Sequence, residues 1–326
     1  MQHLFIQHLF RGNKFYNIVG EEDETVVNIQ HAPYTVDDLI VPTEFNDLIA
    51  STLQKIQTLS ERIDSEAYKK LTLFVDPIDG TREFATGQGE KVTILLGYND
   101  PQGKPCAGIV YRPLTDPPTW AAGAQSENCR MGVLDVTDDP KPQGILITDG
   151  KVSPWLETFI AEMKYEKVPS VASGNRALML LEGKAGAYIR DTGGFAKWDT
   201  SGPQAVVEAY GGSMSKLTSF LKDQSLQGYI HLKSPNQSNL DFVPELTYLT
   251  LSNAKVKSDF VKGADKKIAS LEQVKEYSCT CGLVALAPPS PPSIPTSSSS
   301  SSSSQLISRL HSAMLQAAQV HAPTFN

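Results

Sequence analysis

Apolar and polar positions along the chain fall into two regimes. Between 91 and 124, short apolar runs alternate with turn chemistry. Segments 91–98, 107–112 and 119–124 read as strands, and Asn99-Asp100-Pro101-Gln102-Gly103 supplies a tight turn between the first two. The pattern predicts an antiparallel meander. Upstream, 71–75 is a short apolar run that reads as a buried strand. Leu48, Leu53, Ile56, Leu59 and Ile63 recur at three- and four-residue spacing, which predicts one apolar helix face within 34–70.

From 144 onward the pattern becomes strand, helix, strand, helix. Segments 144–148 and 185–189 read as strands. Ser153-Pro154 opens a helix, with Ser as N-cap and Pro at the first helical position. A helix over 175–182 stops at Gly183, and one over 199–210 stops at Gly211-Gly212. Asp199 suits the N-cap of the latter, with Pro203 tolerated in its first turn. The alternation predicts a second, α/β half. The expected organisation is an α+β half over 1–140, an α/β half over 141–287 and a tail over 288–326. Pro288-Pro289-Ser290-Pro291-Pro292 and the serine run 297–304 cannot bury apolar area, which predicts disorder. Beyond it, Leu306, Leu310, Met314 and Ala317 line one face of a short helix, either solvated or docked.

Composition narrows the function classes. A formal net charge of -7 favours neither nucleic acid polymers nor an anionic membrane surface. No apolar run is long enough to predict a membrane helix, and the N-terminal residues lack the apolar core of a signal peptide. Cys106, Cys129, Cys279 and Cys281 form no CxxC pair and read as reduced structural thiols, which suits a cytoplasmic compartment, with organelle import left open.

The chemistry concentrates in Asp76-Pro77-Ile78-Asp79-Gly80-Thr81, where a buried strand ends in two carboxylates three residues apart. Desolvated carboxylates call for a hard, oxygen-seeking cation such as Mg²⁺. On spacing alone an acidic turn with Asp capping is an equal reading. Gly20-Glu21-Glu22-Asp23-Glu24 alone reads as a solvated acidic loop, and Lys197-Trp198-Asp199 alone as a helix cap beside a packed Trp.

Together, in this order, the three segments resemble the inositol monophosphatase superfamily of lithium-sensitive, metal-dependent phosphatases. The pattern there is Gly-Glu-Glu, then Asp-Pro-(Ile/Leu)-Asp-Gly-Thr, then Trp-Asp leading a helix that ends Gly-Gly. The resemblance implies a layered αβαβα sandwich. It also implies two or three Mg²⁺ ions held by Glu22, Asp76, the carbonyl of Ile78, Asp79 and Asp199. Water would attack phosphorus directly, with Asp79 and Thr81 in catalytic roles. Gly80, Thr81, Asn175, Arg176 and Asp199 would contact a small phosphorylated substrate. Thr81-Arg82-Glu83-Phe84 and Gly174-Asn175-Arg176 look like the 3'(2'),5'-bisphosphate nucleotidase branch, implying hydrolysis of adenosine 3',5'-bisphosphate to AMP. The inositol polyphosphate 1-phosphatase and inositol monophosphatase branches are the neighbouring alternative. Arg176 reads equally as a surface helix arginine.

Two departures stand out. Only the residues up to Val19 precede Gly20, and the family's Asp-bearing segment that partners the motif Thr is not found there. The expectation is an incomplete chain or compromised activity, and with it the reading of a non-catalytic binding protein. The branch's Ser-Arg-Ser-His-like stretch is replaced by Thr148-Asp149-Gly150-Lys151-Val152-Ser153. A haloacid-dehalogenase-type nucleophile fits less well, because two residues rather than one separate Asp76 from Asp79.

Overall fold

The computed structural model describes residues 15–21, 42–47, 50, 51, 54, 69–125, 129–136, 144–192, 195–221, 246, 248, 278, 279, 282–288 and 299–324. The helix expected within 34–70 lies almost wholly outside them, as do Glu22 and the half-boundary near 140.

The first sheet has six strands in chain order: β1 (Asn17–Gly20), β2 (Thr72–Asp79), β3 (Thr93–Asn99), β4 (Pro105–Arg112), β5 (Thr119–Ala124) and β6 (Cys129–Val133). β1 runs parallel to β2, and the rest form the expected antiparallel meander. The turn between β3 and β4 is closed by Asp100, whose Oδ1 accepts from the amides of Gln102 and Lys104, each at 2.9 Å. The short helix α1 (Thr81–Ala85) follows β2 directly.

The second half supplies β7 (Ile145–Thr148), α2 (Pro154–Met163), β8 (Glu166–Pro169), α3 (Ser173–Leu181), β9 (Ala187–Arg190) and β10 (Phe195–Ala196). Then come α4 (Lys197–Ala209), β11 (Ser213–Lys216), α5 (Leu217–Phe220), β12 (Ser278–Cys279), β13 (Leu283–Leu286) and α6 (Ser299–Val320). Its sheet has the order β11-β13-β9-β7-β8, and β10 pairs with β12 apart from it. Ser153 caps α2 as expected, accepting from the Leu156 amide at 3.1 Å.

Strand periodicity sorts the layers. On one face of the second sheet, Leu146, Ala187, Ile189, Val284 and Leu286 pack with Trp155 and Phe159 of α2 and with Leu310, Met314 and Ala317 of α6. On the other face, Ile147, Tyr188, Leu283 and Ala285 pack with Leu180 of α3 and reach Phe74 of β2. Leu95, Val110 and Ala121 of the first sheet meet Leu178 and Leu181 of α3 and Val206 and Val207 of α4. The order is therefore sheet, helix pair, sheet, helix pair, an α/β layered sandwich. Leu73, Val75 and Leu96 bury the remaining face of the first sheet. Among the described residues no helix is long and apolar enough to cross a membrane.

The expected disorder over 289–298 lies outside the described residues, but the tail beyond it is helical. Residues 299–304 are helical, and the face of α6 bearing Leu310, Met314 and Ala317 is fully buried. The Trp155 indole donates to the Met314 carbonyl at 3.3 Å. A polar run is drawn into a helix because the apolar stripe that follows it finds a partner face.

Helix α4 belongs by sequence to the second half yet lies on the first sheet. Gly97, Gly108 and Gly123 stand opposite one another on β3, β4 and β5. A Cβ at Gly97 would sit 2.1 Å from Ser201 Oγ, one at Gly108 2.5 Å from the Gly202 carbonyl, and one at Gly123 2.5 Å from Ala209 Cβ. The three form a groove into which α4 sinks. Asn99 fixes its position along the groove through a mutual hydrogen bond with Ser201, 2.8 and 3.1 Å.

Candidate functional site

Residues three apart on a regular strand point to opposite faces. Asp76 and Asp79 escape this parity. Asp76 pairs with Leu95 and Asp79 with Thr93, so three steps on β2 match two on β3. The extra residue of this bulge falls at Pro77-Ile78, where proline has no N–H to donate to a ladder. Both carboxylates consequently face the helix layer, and α4 brings Asp199 to them. Oxygens of Asp76, Asp79 and Asp199 all lie within 4.8 Å of one another.

Each carboxylate has its own support. Asp76 Oδ1 accepts from the Ile78 amide at 3.1 Å. Asp79 accepts from the Ser173 amide at 3.0 Å, the Gly174 amide at 2.7 Å and the Thr93 hydroxyl at 2.6 Å. Asp199 Oδ2 accepts from the Ala196 amide at 2.6 Å. The helix therefore begins at Lys197, and Asp199 is its third residue rather than its N-cap; it reaches back to bond the residue before the helix. Pro203 accordingly lies in the helix interior and not in its first turn. Gly80, with φ 93°, turns the chain sharply from strand to α1. Thr81 opens α1, and its hydroxyl donates to the Ile78 carbonyl at 3.2 Å.

Two buried carboxylates and a half-buried third, drawn together, resist ionisation. Burial, then the charges of Asp79, Glu21 and Asp199, push Asp76 up to about 11. Burial, then Asp79, push Asp199 up to about 7. Burial also raises Asp79, against its three hydrogen bonds and the nearby Arg176. Glu21, which the sequence did not single out, hydrogen-bonds Asp76. The Gly20–Val75 pairing sets it there, within the same Gly-Glu-Glu segment that drew attention to Glu22. An all-oxygen, all-anionic, desolvated donor set fits a hard divalent cation.

Asn175 and Arg176 have intramolecular partners. The Asn175 amide donates to Ser170 Oγ at 3.0 Å and to the Val171 carbonyl at 3.3 Å, and accepts from Arg112 at 2.9 Å. Arg176 bonds Tyr188 Oη at 2.7 Å, the Ser170 carbonyl at 2.8 Å and Asp149 Oδ1 at 2.6 Å. Arg190 shares the same carboxylate, with Nε 3.2 Å from Asp149 Oδ2. Arg190 carries no motif signal; only the pairing of β9 with β7 brings it beside the residue that follows β7.

A model of the inositol monophosphatase family matches residues 9–243, most of the chain and all three acidic segments. The chain belongs to the inositol monophosphatase family. Among its relatives are proteins named 3'(2'),5'-bisphosphate nucleotidase 1. The one from Rattus norvegicus is 34% identical over 158 residues, 45% of this chain and 50% of that one. The one from Homo sapiens is 28% identical over 211 residues, 61% and 63%. The 3'(2'),5'-bisphosphate nucleotidase CysQ of Shigella flexneri is 27% identical over 212 residues, 63% and 82%. The chain thus spans between half and two thirds of the length of the first two.

Proposed function

We propose that this chain is a metal-dependent phosphomonoesterase acting on a nucleotide bisphosphate, releasing phosphate from adenosine 3',5'-bisphosphate to leave AMP. The observation that carries the reading is the meeting of Asp76, Asp79 and Asp199, drawn from a strand and a helix of different halves. Such a cluster is unstable as a purely structural feature and stable as a cation site. Asp76, Asp79 and Asp199, with Glu22 and the Ile78 carbonyl, would hold Mg²⁺, which when bound supplies Lewis acidity and lowers the pKa of water. Thr81, whose hydroxyl donates to the Ile78 carbonyl, keeps its acceptor lone pairs for a water or phosphate ligand. Gly80 allows a phosphate to approach the backbone at the start of α1.

The bisphosphate preference is supported by the names of the relatives and by Arg176 and Arg190. Two guanidiniums converge on the Asp149 carboxylate, and one of them, Arg176, is near enough to Asp79 to act on its charge. A phosphate dianion suits such a fork. Phosphate release with Mg²⁺ from adenosine 3',5'-bisphosphate, compared with inositol 1,4-bisphosphate, tests the reading. Preference for the inositol phosphate would move the chain to the neighbouring branch. Turnover of neither, in a folded sample that binds metal, would make it a binding protein. Asp79→Asn should lower turnover at least ~10²-fold with the circular dichroism melt retained; full activity in that variant would remove the site assignment.

A further inference from the structure

We propose that Arg112 and Asn175 are a positioning pair: they hold the N-terminus of α3 against Asp79 and so set how the carboxylate trio presents its oxygens. The inference rests on the metal-site reading above.

Two of the three donors on Asp79 are the amides of Ser173 and Gly174, the first two residues of α3. The residue before them is Ala172, at φ 60° and with no side chain that can cap a helix. Asp79 therefore caps α3 from another strand, and the bond geometry depends on where α3 sits. Residue 175, the next along the helix, closes the loop beneath it through Ser170 and Val171, and turns its remaining oxygen to Arg112.

Arg112 stands on β4, in the same sheet as Asp79. Its Nη1 is 2.9 Å from Thr119 Oγ1 on the neighbouring strand and 2.9 Å from Glu182 Oε1. Asn175 and Glu182 are seven residues apart, two turns along one helix face. One guanidinium thus grips α3 near its start and just past its end. Lys184 Nζ lies 2.9 Å from the other Glu182 oxygen and 2.8 Å from Asp135. Arg112, Asn175 and Glu182 are all buried, so α3 cannot slide along β4 without leaving a buried charge unpaired. The fork makes this possible; a lysine's single point of charge could not hold both residues.

The test uses the full chain with two variants, Asn175→Ala, which leaves the Arg112–Glu182 pair in place, and Arg112→Lys. In metal-free protein, hydrogen exchange at the Ser173 and Gly174 amides should quicken about tenfold or more in each. The Kd for Mn²⁺, read by electron paramagnetic resonance well below the melting temperature, should rise about tenfold. The double variant should match the worse single one, because both act through one link. Unchanged exchange and Kd in Asn175→Ala, or additive losses in the double variant, would overturn the proposal, since a residue needed only for packing would lower the melting temperature without moving either. A native chain that binds no Mn²⁺ would sink the metal-site reading instead, and the exchange rates alone would then decide the positioning role.

Discussion

At the scale of single residues, Asp149 is the side chain with the clearest consequence. It occupies the space between Arg176 and Arg190 with both oxygens, 2.6 and 3.2 Å from their nitrogens. A carboxylate in that position competes with a second phosphate for the same guanidiniums. It also holds the two arginines ready, since Arg176 is further braced by Tyr188, whose ring lies 4.7 Å below the guanidinium carbon. Asp149→Asn should therefore lower the KM for a nucleotide bisphosphate by about tenfold, roughly 1.4 kcal/mol, and leave the KM for a monophosphate unchanged. Steady-state kinetics on the pair of substrates checks this. Equal changes on both substrates would show that Asp149 acts on the trio and not on the second phosphate.

At the scale of elements, the glycine row under α4 is what delivers Asp199. Gly108→Ala places a Cβ 2.5 Å from the Gly202 backbone carbonyl, which no side-chain rotation relieves. The variant should lose ~1–3 kcal/mol in chemical denaturation and bind Mn²⁺ more weakly, because lifting α4 withdraws Asp199 from Asp76 and Asp79. Legible in the sequence were β2 to β5, β7 and β9 as apolar runs, and α2, α3 and α4 by a cap or a terminating glycine. The sequence singled out none of β1, β10, β11, β12 and β13, although β13 is buried throughout, and it also missed β6, exposed along its whole length, and β8, an edge strand reading Glu-Lys-Val-Pro. Neither of the last two buries a face, so neither shows alternation. The acidic motif was legible as a pair of carboxylates. That both point the same way was not, because it depends on a bulge recorded only in the pairing of Asp76 with Leu95 and Asp79 with Thr93. The clasp of Arg112 on α3 and the sharing of Asp149 were likewise invisible, since both join residues dozens of positions apart.

At the scale of the whole molecule, stability divides between a core that is indifferent to metal and a site that is not. The outer helix α6 belongs to the first: Met314 is fully buried against α2, and Met314→Ala should cost about 2–5 kcal/mol at any pH, with Trp155 fluorescence reporting the loosened contact. The carboxylate trio belongs to the second, and the sign of its effect follows from linkage. In the unfolded chain Asp76 and Asp199 release their protons near the ordinary 3.8; in the metal-free fold they hold them up to about 11 and about 7. The folded state binds more protons than the unfolded one across this range. Its advantage is complete below about 4 and drains away as pH rises, through about 7 for Asp199 and on towards about 11 for Asp76. A divalent cation reverses the trend, because it binds the ionised carboxylates and is in competition with protons for them. The melting temperature in EDTA should therefore fall from pH 5 to pH 8, while the rise produced by Mg²⁺ should grow over the same interval. Asp199→Asn should make both slopes shallower without abolishing them, since Asp76 still carries an extra proton in the fold across the interval. Thermal melts at several pH values, with and without Mg²⁺, decide the matter. A Mg²⁺ effect of the same size at pH 5 and pH 8 would mean that the trio is already ionised without metal and that some other charge holds it together.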